Sequence, residues 1–214
     1  MLKRLCTLVL LLLVCHPATL VLADTGTKLL LIGDSLGASY GVPSDQGWAR
    51  LLNQQLQADS QAGSVVNASI SGDTTAGGLA RLEPLLQQEN PDWVLIELGG
   101  NDGLRGLNLK AMKSNLLAMI ALSRKYHAKP VLIGIKLPPN YGRRYRESFE
   151  QIYVEVSNDE KVPLMPFLLD GVGGHANLMQ EDRIHPTAEA QPMIRDNVWH
   201  FLQPLLGGSS ASAQ

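Results

Sequence analysis

The sequence predicts an α/β protein, a three-layer α/β/α sandwich in which helices cover both faces of a five-stranded, mostly parallel sheet. Short apolar runs alternate with longer amphipathic segments along the chain. The runs are apolar throughout, which is typical of strands whose two faces are both buried. Neither a repeat nor an internal linker interrupts the alternation. We therefore expect one domain over residues 24–214, with a tail at 207–214 that lacks regular structure.

The predicted strands are short apolar runs bounded by glycine, proline or asparagine. They cover residues 28–32, 64–70, 93–98, 130–135 and 162–167. The last of these contains Pro163 and Pro166, which cannot donate main-chain hydrogen bonds, so we expect it at an edge of the sheet.

The predicted helices show apolar residues at a spacing of three or four. They cover residues 48–60, the region around 79–86, and residues 109–126, 145–156 and 192–205. The clearest is 109–126, where Met112, Leu116 and Met119 share one side and lysines occupy most of the other.

The first residues have the pattern of a secretory signal peptide. A basic start at Lys3 and Arg4 precedes an apolar run at 5–14, too short to cross a membrane comfortably. We expect cleavage after Ala23; a lipoprotein signal using Cys15 and an uncleaved anchor are the alternatives. Both cysteines, Cys6 and Cys15, lie in this segment, so the mature chain is expected to have no thiol chemistry.

Composition and charge exclude several classes of protein. The 214 residues are 45% hydrophobic and 18% charged, an ordinary globular composition. Loss of Lys3 and Arg4 leaves 16 of the 18 basic residues against 20 acidic ones, a net charge of −4. Without a basic stripe, nucleic acid is not an expected partner. Neither a C-x-x-C pair nor a cluster of His and Asp indicates zinc, so the sequence predicts no metal.

Glycine and polar side chains follow several of the predicted strands. Ligands of open parallel sheets bind at the carboxyl ends of the strands, where such segments converge. The segments are Gly33-Asp34-Ser35-Leu36-Gly37, Ser71-Gly72-Asp73-Thr74-Thr75, Gly99-Gly100-Asn101-Asp102-Gly103 and Asp182-Arg183-Ile184-His185-Pro186. Each alone is also typical of an ordinary turn, but their presence together favours a functional site.

These residues provide every group that acyl transfer requires. Ser35 is a candidate nucleophile, and a serine hydroxyl needs a base such as His185. Asp182, three residues earlier, is placed to orient the imidazole ring. The N–H groups of Ser35 and Gly72 and the side-chain amide of Asn101 are candidate donors to the oxyanion.

The same four segments resemble the signature blocks of the SGNH (GDSL) hydrolases, in the same order. The resemblance spans about residues 28 to 205. It is sharper to the family's group of periplasmic thioesterases, lysophospholipases and arylesterases, on the segments at residues 37–41, 72–78, 104–106 and 137–142. It implies a flavodoxin-like fold and hydrolysis of acyl esters and thioesters through an acyl-enzyme, without metal or organic cofactor. It also implies that Ser35, Asp182 and His185 form the triad and that Ser35, Gly72 and Asn101 form the oxyanion hole. Arg183 departs from the family pattern, which commonly has glycine there.

Two further loops are predicted to hold the substrate. The loops at 103–108 and 136–146 leave the same edge, and their apolar side chains are candidate walls of an acyl groove, although ordinary connections have similar sequences. The candidate wall residues are Leu104, Leu107, Leu137, Pro138 and Tyr141. Arg143, Arg144 and Arg146 either contact an anionic head group or form a solvated start of a helix. His175 is the one alternative base.

The sequence thus predicts an exported, periplasmic serine esterase and thioesterase. We expect aryl esters, lysophospholipids or acyl-CoA-type thioesters as substrates of a monomer without a stable membrane anchor. A carbohydrate O-deacetylase on the same fold is one alternative. The other is a catalytically silent acyl-binding protein.

Overall fold

A computed structural model describes residues 26–58 and 63–207 of the chain. The predicted signal peptide, its cleavage site after Ala23 and both cysteines lie outside the described residues. Of the predicted tail, only Gly207 is described, and it ends the last helix.

The sheet has five strands, all parallel, in the order β2-β1-β3-β4-β5. The strands are β1 (Lys28–Gly33), β2 (Ser64–Asn67), β3 (Trp93–Glu97), β4 (Lys129–Ile133) and β5 (Leu164–Met165). β1 therefore lies between β2 and β3, and its carboxyl end is inside the sheet.

Six α-helices surround the sheet in the described residues. They are α1 (Trp48–Ala58), α2 (Thr75–Glu89), α3 (Gly100–Leu104), α4 (Leu109–Lys125), α5 (Arg143–Glu160) and α6 (Gln191–Gly207). Two short 3₁₀ turns lie at Pro139–Tyr141 and Ala188–Ala190.

Each face of the sheet carries its own hydrophobic core, which confirms the predicted three-layer sandwich. Successive strand residues point to opposite faces, so Leu29 and Leu31 pack with α1 and α6, whereas Leu30 and Ile32 pack with α2, α4 and α5. All four leucine and isoleucine side chains are fully buried. The continuous apolar runs in the sequence are the consequence of this two-sided burial.

The edge strands are shorter than predicted. β2 ends at Asn67, whose side-chain oxygen accepts a hydrogen bond from Ser69 N (3.0 Å) and whose Nδ2 donates to Gly37 O (2.9 Å). These side-chain bonds turn the backbone away from a regular strand. β5 is only two residues long and lies at an edge, as its flanking prolines, Pro163 and Pro166, predict.

One helix was not predicted. α3 begins after Gly99, whose φ of +118° lies in the region that favours glycine. Two of its five residues are glycines, which have poor helix propensity, and five residues are too few to show a helical period. The helix matters because it carries Asn101 at the edge where the strands end.

Candidate active site

The loops after the strands bring Ser35, His185 and Asp182 into one hydrogen-bonded chain. The Ser35 Oγ–His185 Nε2 distance is 2.8 Å, and the His185 Nδ1–Asp182 Oδ2 distance is 2.6 Å. An ionised carboxylate only accepts hydrogen bonds, so Nδ1–H donates to Asp182. Nε2 is then left as the acceptor for the Ser35 hydroxyl, the arrangement that a general base requires.

The local fold of the loop holds Asp182 in its ionised form. Its Oδ1 accepts hydrogen bonds from Ile184 N (2.9 Å) and His185 N (3.0 Å). Partial burial raises the pKa of this carboxyl, but the main-chain and side-chain hydrogen bonds from His185 and the one from Ile184 outweigh it, and the pKa is lowered. A carboxylate in this position would stabilise a positive charge on the His185 ring.

The turn that carries Ser35 is packed against a buried carboxyl group. Glu97, at the end of β3, accepts hydrogen bonds through Oε2 from Asp34 N (3.2 Å) and Gly37 N (3.0 Å), on either side of Ser35. A Cβ on Gly33 would lie 2.5 Å from this oxygen, so the turn requires glycine there. Burial and then the nearby Asp34 carboxyl raise the pKa of Glu97 well above its usual value.

Asp34 connects the turn to the predicted oxyanion donor. Its Oδ1 accepts a hydrogen bond from Leu36 N (2.9 Å) and its Oδ2 accepts one from Asn101 Nδ2 (3.1 Å). Burial raises the pKa of Asp34 to about 6, although the hydrogen bonds from Leu36 and Asn101 and the proximity of His185 oppose this rise. Sequence reasoning assigned no role to Asp34 or Glu97. The signal for Glu97 was present, since it is one acidic residue inside an otherwise apolar strand.

The three predicted oxyanion donors lie on the same edge. Gly72 has a φ of +82°, which glycine adopts without strain. Among the described residues, neither Ser35 N nor Gly72 N donates a hydrogen bond. Asn101 uses one amide hydrogen toward Asp34 and has a second one to donate.

Arg105 ties two of these donors together, a contact that the sequence did not predict. Its guanidinium donates to Gly72 O (2.7 Å) and to Asn101 Oδ1 (3.4 Å). Its position four residues after Asn101, directly after the end of α3, is a sequence signal for this contact, since side chains four apart along a helix lie on one face.

Tyr40 covers part of the imidazole of His185. The ring centroids are 4.7 Å apart and the planes are tilted by 46°. Tyr40 N donates to Ser35 O (2.9 Å), so this residue closes the turn that begins at the serine. Tyr40 as a whole is nevertheless 53% exposed.

His175 does not take part in this arrangement. It lies on an exposed loop, where its N–H donates to Val172 O (3.1 Å). None of its hydrogen bonds within the described residues involves Ser35 or Asp182, so the geometry favours His185 as the base.

The two predicted substrate loops are adjacent. Tyr141 Oη donates to Leu104 O (3.0 Å), which joins the loop at 136–146 to the loop at 103–108. Leu107 is exposed, and Leu104, Pro138 and Tyr141 are half-buried. Leu137 departs from the expectation of an exposed wall residue. It is 3% exposed and belongs to the core under α2, α4 and α5, because its side chain fills the space beside Gly103.

The three arginines after this loop differ in their contacts. Arg146 Nε donates to Leu137 O (3.0 Å), so this residue holds the loop. Arg143 forms an exposed ion pair with Glu147 (3.7 Å), and Arg144 is exposed. Arg143 and Arg144 are therefore the more exposed of the three arginines, whereas Arg146 is half-buried.

Arg183 occupies the loop between Asp182 and His185 with a φ of +58°. A side chain in this left-handed conformation costs about 1–2 kcal/mol relative to glycine. This conformation explains why glycine suits the position, and the Asp182–His185 contact of 2.6 Å is formed with arginine there.

The described residues contain neither a metal-binding cluster nor a membrane span. No three of their His, Cys, Asp and Glu side chains are grouped so as to hold a metal ion. Over the same part of the chain, every helix is too short or too polar to cross a membrane.

Comparison with known proteins identifies the family. The GDSL-like Lipase/Acylhydrolase family matches residues 31–191. The chain is 52% identical over 178 residues to Esterase TesA of Pseudomonas aeruginosa, covering 83% of this chain and 89% of the relative. It is 47% identical over 188 residues to Thioesterase 1/protease 1/lysophospholipase L1 of Escherichia coli, covering 88% of each.

Solved structures agree with the sequence comparison. A crystal structure of TesA matches with a TM-score of 0.81 and 51% identity over 84% of this chain and 99% of the other. The psychrotrophic esterase EstA from Pseudoalteromonas sp., inhibited by monoethylphosphonate, matches with a TM-score of 0.81 and 41% identity, covering 85% and 99%. The chain therefore belongs to the GDSL-like lipase/acylhydrolase family of SGNH hydrolases.

Proposed function

We propose that this carboxylic ester hydrolase is a serine esterase and thioesterase that forms an acyl-serine intermediate on Ser35. The observation that carries the proposal is the continuous Asp182–His185–Ser35 chain, with distances of 2.6 and 2.8 Å. Its geometry is that of a nucleophile, a general base and a carboxylate that orients the base.

In the acylation step, Ser35 Oγ attacks the carbonyl carbon of the ester or thioester. His185 Nε2 takes the hydroxyl proton, and the Asp182 carboxylate stabilises the resulting imidazolium. The C–O or C–S bond to the leaving group then breaks, and His185 returns the proton to the leaving alcohol or thiol.

In the deacylation step, water attacks the acyl-serine and His185 takes one of its protons. The bond between the acyl carbon and Ser35 Oγ breaks, the serine recovers its proton and the carboxylic acid leaves. The chemistry balances without an oxidant, a metal or an organic cofactor.

In both steps the carbonyl oxygen becomes negatively charged, and we assign its stabilisation to Ser35 N, Gly72 N and Asn101 Nδ2. The assignment is supported by the two N–H groups that donate to no described residue and by the Asp34 carboxylate that holds the Asn101 amide. The loss of one such donor typically costs about 10²- to 10³-fold in rate.

The substrates that we propose are aryl esters, lysophospholipids and acyl-CoA-type thioesters. Relatives are named an esterase, a thioesterase and lysophospholipase, and an arylesterase. The exposed Leu107 and the half-buried Leu104, Pro138 and Tyr141 support an apolar surface for the acyl chain. We further propose export to the periplasm, on the strength of the signal-like segment at residues 1–23.

Turnover of p-nitrophenyl esters from acetyl to palmitoyl, together with a medium-chain acyl thioester, tests this function. We expect the wild-type protein to prefer medium or long chains and Ser35→Ala to lose at least about 10³-fold in kcat. Turnover confined to acetyl groups would favour the deacetylase. Tight binding of acyl ligands without turnover by folded wild type would favour a silent binding protein.

A further inference from the structure

Ser35 and His185 lie on different loops, and Asp182 does not connect them. Within the described residues, the hydrogen bonds of the Asp182 carboxylate all go to residues 184 and 185 of its own loop. The Ser35–His185 bond joins the loops, but a single bond between two side chains does not hold two backbones at a fixed separation. The approach of base to nucleophile therefore depends on other ties.

Gln180 provides such a tie through main-chain carbonyl groups. Its Nε2 donates to Tyr40 O (2.7 Å) on the serine loop and to Pro186 O (2.9 Å) beside His185. Carbonyl oxygens only accept hydrogen bonds, so the two contacts also fix which end of the amide faces them. Tyr40 N in turn donates to Ser35 O (2.9 Å), which links the amide to the nucleophile's own peptide.

The backbone of Gln180 is bound to the histidine loop as well. Gln180 N donates to His185 O (2.7 Å), and Thr187 N donates to Leu178 O (2.9 Å). These bonds flank a bridge between Met179 and Pro186. The Gln180 side chain thus extends from a fixed point on the histidine loop toward the serine loop.

The serine loop leaves room for this amide. Gly41 has a φ of +75°, and a Cβ there would lie 2.5 Å from Gln180 Oε1 and 2.8 Å from Nε2. Glycine at 41 therefore serves two needs, the backbone conformation and the space that Gln180 fills.

We propose that Gln180 is a positioning residue that sets the approach of His185 to Ser35 by holding the Tyr40 and Pro186 carbonyl groups on one amide. It touches neither the substrate nor the reacting atoms in the proposed mechanism. It affects the rate because it sets the separation of the two loops and the position of the Tyr40 ring against His185. The inference rests on the proposed serine–histidine mechanism.

The Gln180→Glu variant tests this role with little change in shape. It replaces the NH₂ group by an oxygen that repels both carbonyl groups. We expect kcat on p-nitrophenyl butyrate to fall about 10- to 10²-fold, the scale of effect that a displacement of about 1 Å produces, while KM changes less than about two-fold. Asn197→Asp is the matched control, because Asn197 Nδ2 also donates to a main-chain carbonyl group, that of Asp170 (2.7 Å). This variant should keep the wild-type kcat.

Gln180→Met separates the lost tie from the added charge, since methionine has a similar length and no amide. We expect it to lower kcat and the rate of inactivation by an alkyl phosphonate ester by the same factor. Both measurements are made well below the melting temperature on protein with a wild-type circular dichroism spectrum. A lower melting temperature with unchanged kcat would overturn the proposal, and so would a loss of activity in Gln180→Glu alone.

Ser35→Ala distinguishes failure of this inference from failure of the proposed function. If Ser35→Ala retains turnover, the serine mechanism is wrong whatever Gln180 does. If Ser35→Ala is inactive and both Gln180 variants keep the wild-type kcat, only the positioning role is wrong.

Discussion

At the scale of single residues, the groups that hold the site in place come from distant positions and could not be paired from the sequence. Asp34 lies beside Ser35, the proposed nucleophile, and its Oδ2 accepts the amide hydrogen of Asn101, 67 positions later. Glu97 holds the N–H groups on both sides of Ser35 from the adjacent strand. The sequence predicted Ser35, Asp182 and His185 because each occupies a short local pattern, whereas these supporting contacts depend on the register of β1 and β3.

The raised pKa of Asp34 predicts a steep acid limb in the pH profile. The pKa is about 6, and burial is the main cause. Below this pH the Asp34 carboxyl gains a proton and loses its charge-assisted hydrogen bond from Asn101. This loss adds to whatever protonation of the proposed general base contributes. We expect log kcat/KM to fall with a slope greater than one below pH 6, measured on a neutral ester substrate.

Asp34→Asn is the control for that profile. The amide does not titrate, so log kcat/KM of this variant should fall with a slope of one on the acid side. Its pH-independent kcat/KM should be lower by up to about 10²-fold, because Asn101 loses its carboxylate partner. A slope of one in the wild-type protein down to pH 4.5 would contradict the assignment.

The raised pKa of Asp34 also makes the stability of the folded protein depend on pH. The folded protein keeps the Asp34 proton to a higher pH than the unfolded chain, whose carboxyl titrates near 3.8. The free energy of unfolding contributed by this group is therefore greatest below the unfolded pKa and is lost as the pH rises through about 6.

At the scale of elements, the loop between Asp182 and His185 carries a residue in a conformation that glycine prefers. Arg183 has a φ of +58°, and its N–H donates to Gln180 O (2.9 Å). We expect Arg183→Gly to raise the free energy of unfolding by up to about 1 kcal/mol. The free energy gained by removing the backbone strain is larger than the free energy lost because glycine increases the conformational entropy of the unfolded chain. Urea denaturation measures the change.

Arg183→Ala is the matched variant for that measurement. Alanine removes the same long side chain but keeps the Cβ that causes the strain. If the glycine variant is no more stable than the alanine variant, backbone strain at this position is not the reason that glycine suits it.

Helices and strands could be predicted where the sequence has a clear hydrophobic period or a proline that excludes a central strand. The helix at Leu109–Lys125 and the edge position of Leu164–Met165 match the sequence predictions. α3 was missed because glycines at 100 and 103 hide a helix of five residues. β2 ended early because the Asn67 side chain forms local hydrogen bonds that the hydrophobic pattern does not record.

At the scale of the whole molecule, the order of the strands explains why four separated motifs meet. β1 lies between β2 and β3, so the segments after these strands carry Ser35, Gly72 and Asn101 to neighbouring places on one edge. The long connection from β5 to α6 returns His185 to the same edge. The alternation of strands and helices predicted the shared edge. The hydrogen bonds that hold it depend on polar side chains from the loops and from the end of β3.

Covalent modification by an alkyl phosphonate p-nitrophenyl ester decides whether Ser35 is the nucleophile. A phosphonate forms a stable adduct with an activated serine, so the modified residue can be located by mass spectrometry of the digested protein. We predict release of one p-nitrophenol per chain, loss of esterase activity in parallel, and an adduct on Ser35 that is absent from Ser35→Ala. An adduct on another residue, or full inactivation with Ser35 unmodified, would rule out Ser35 as the nucleophile.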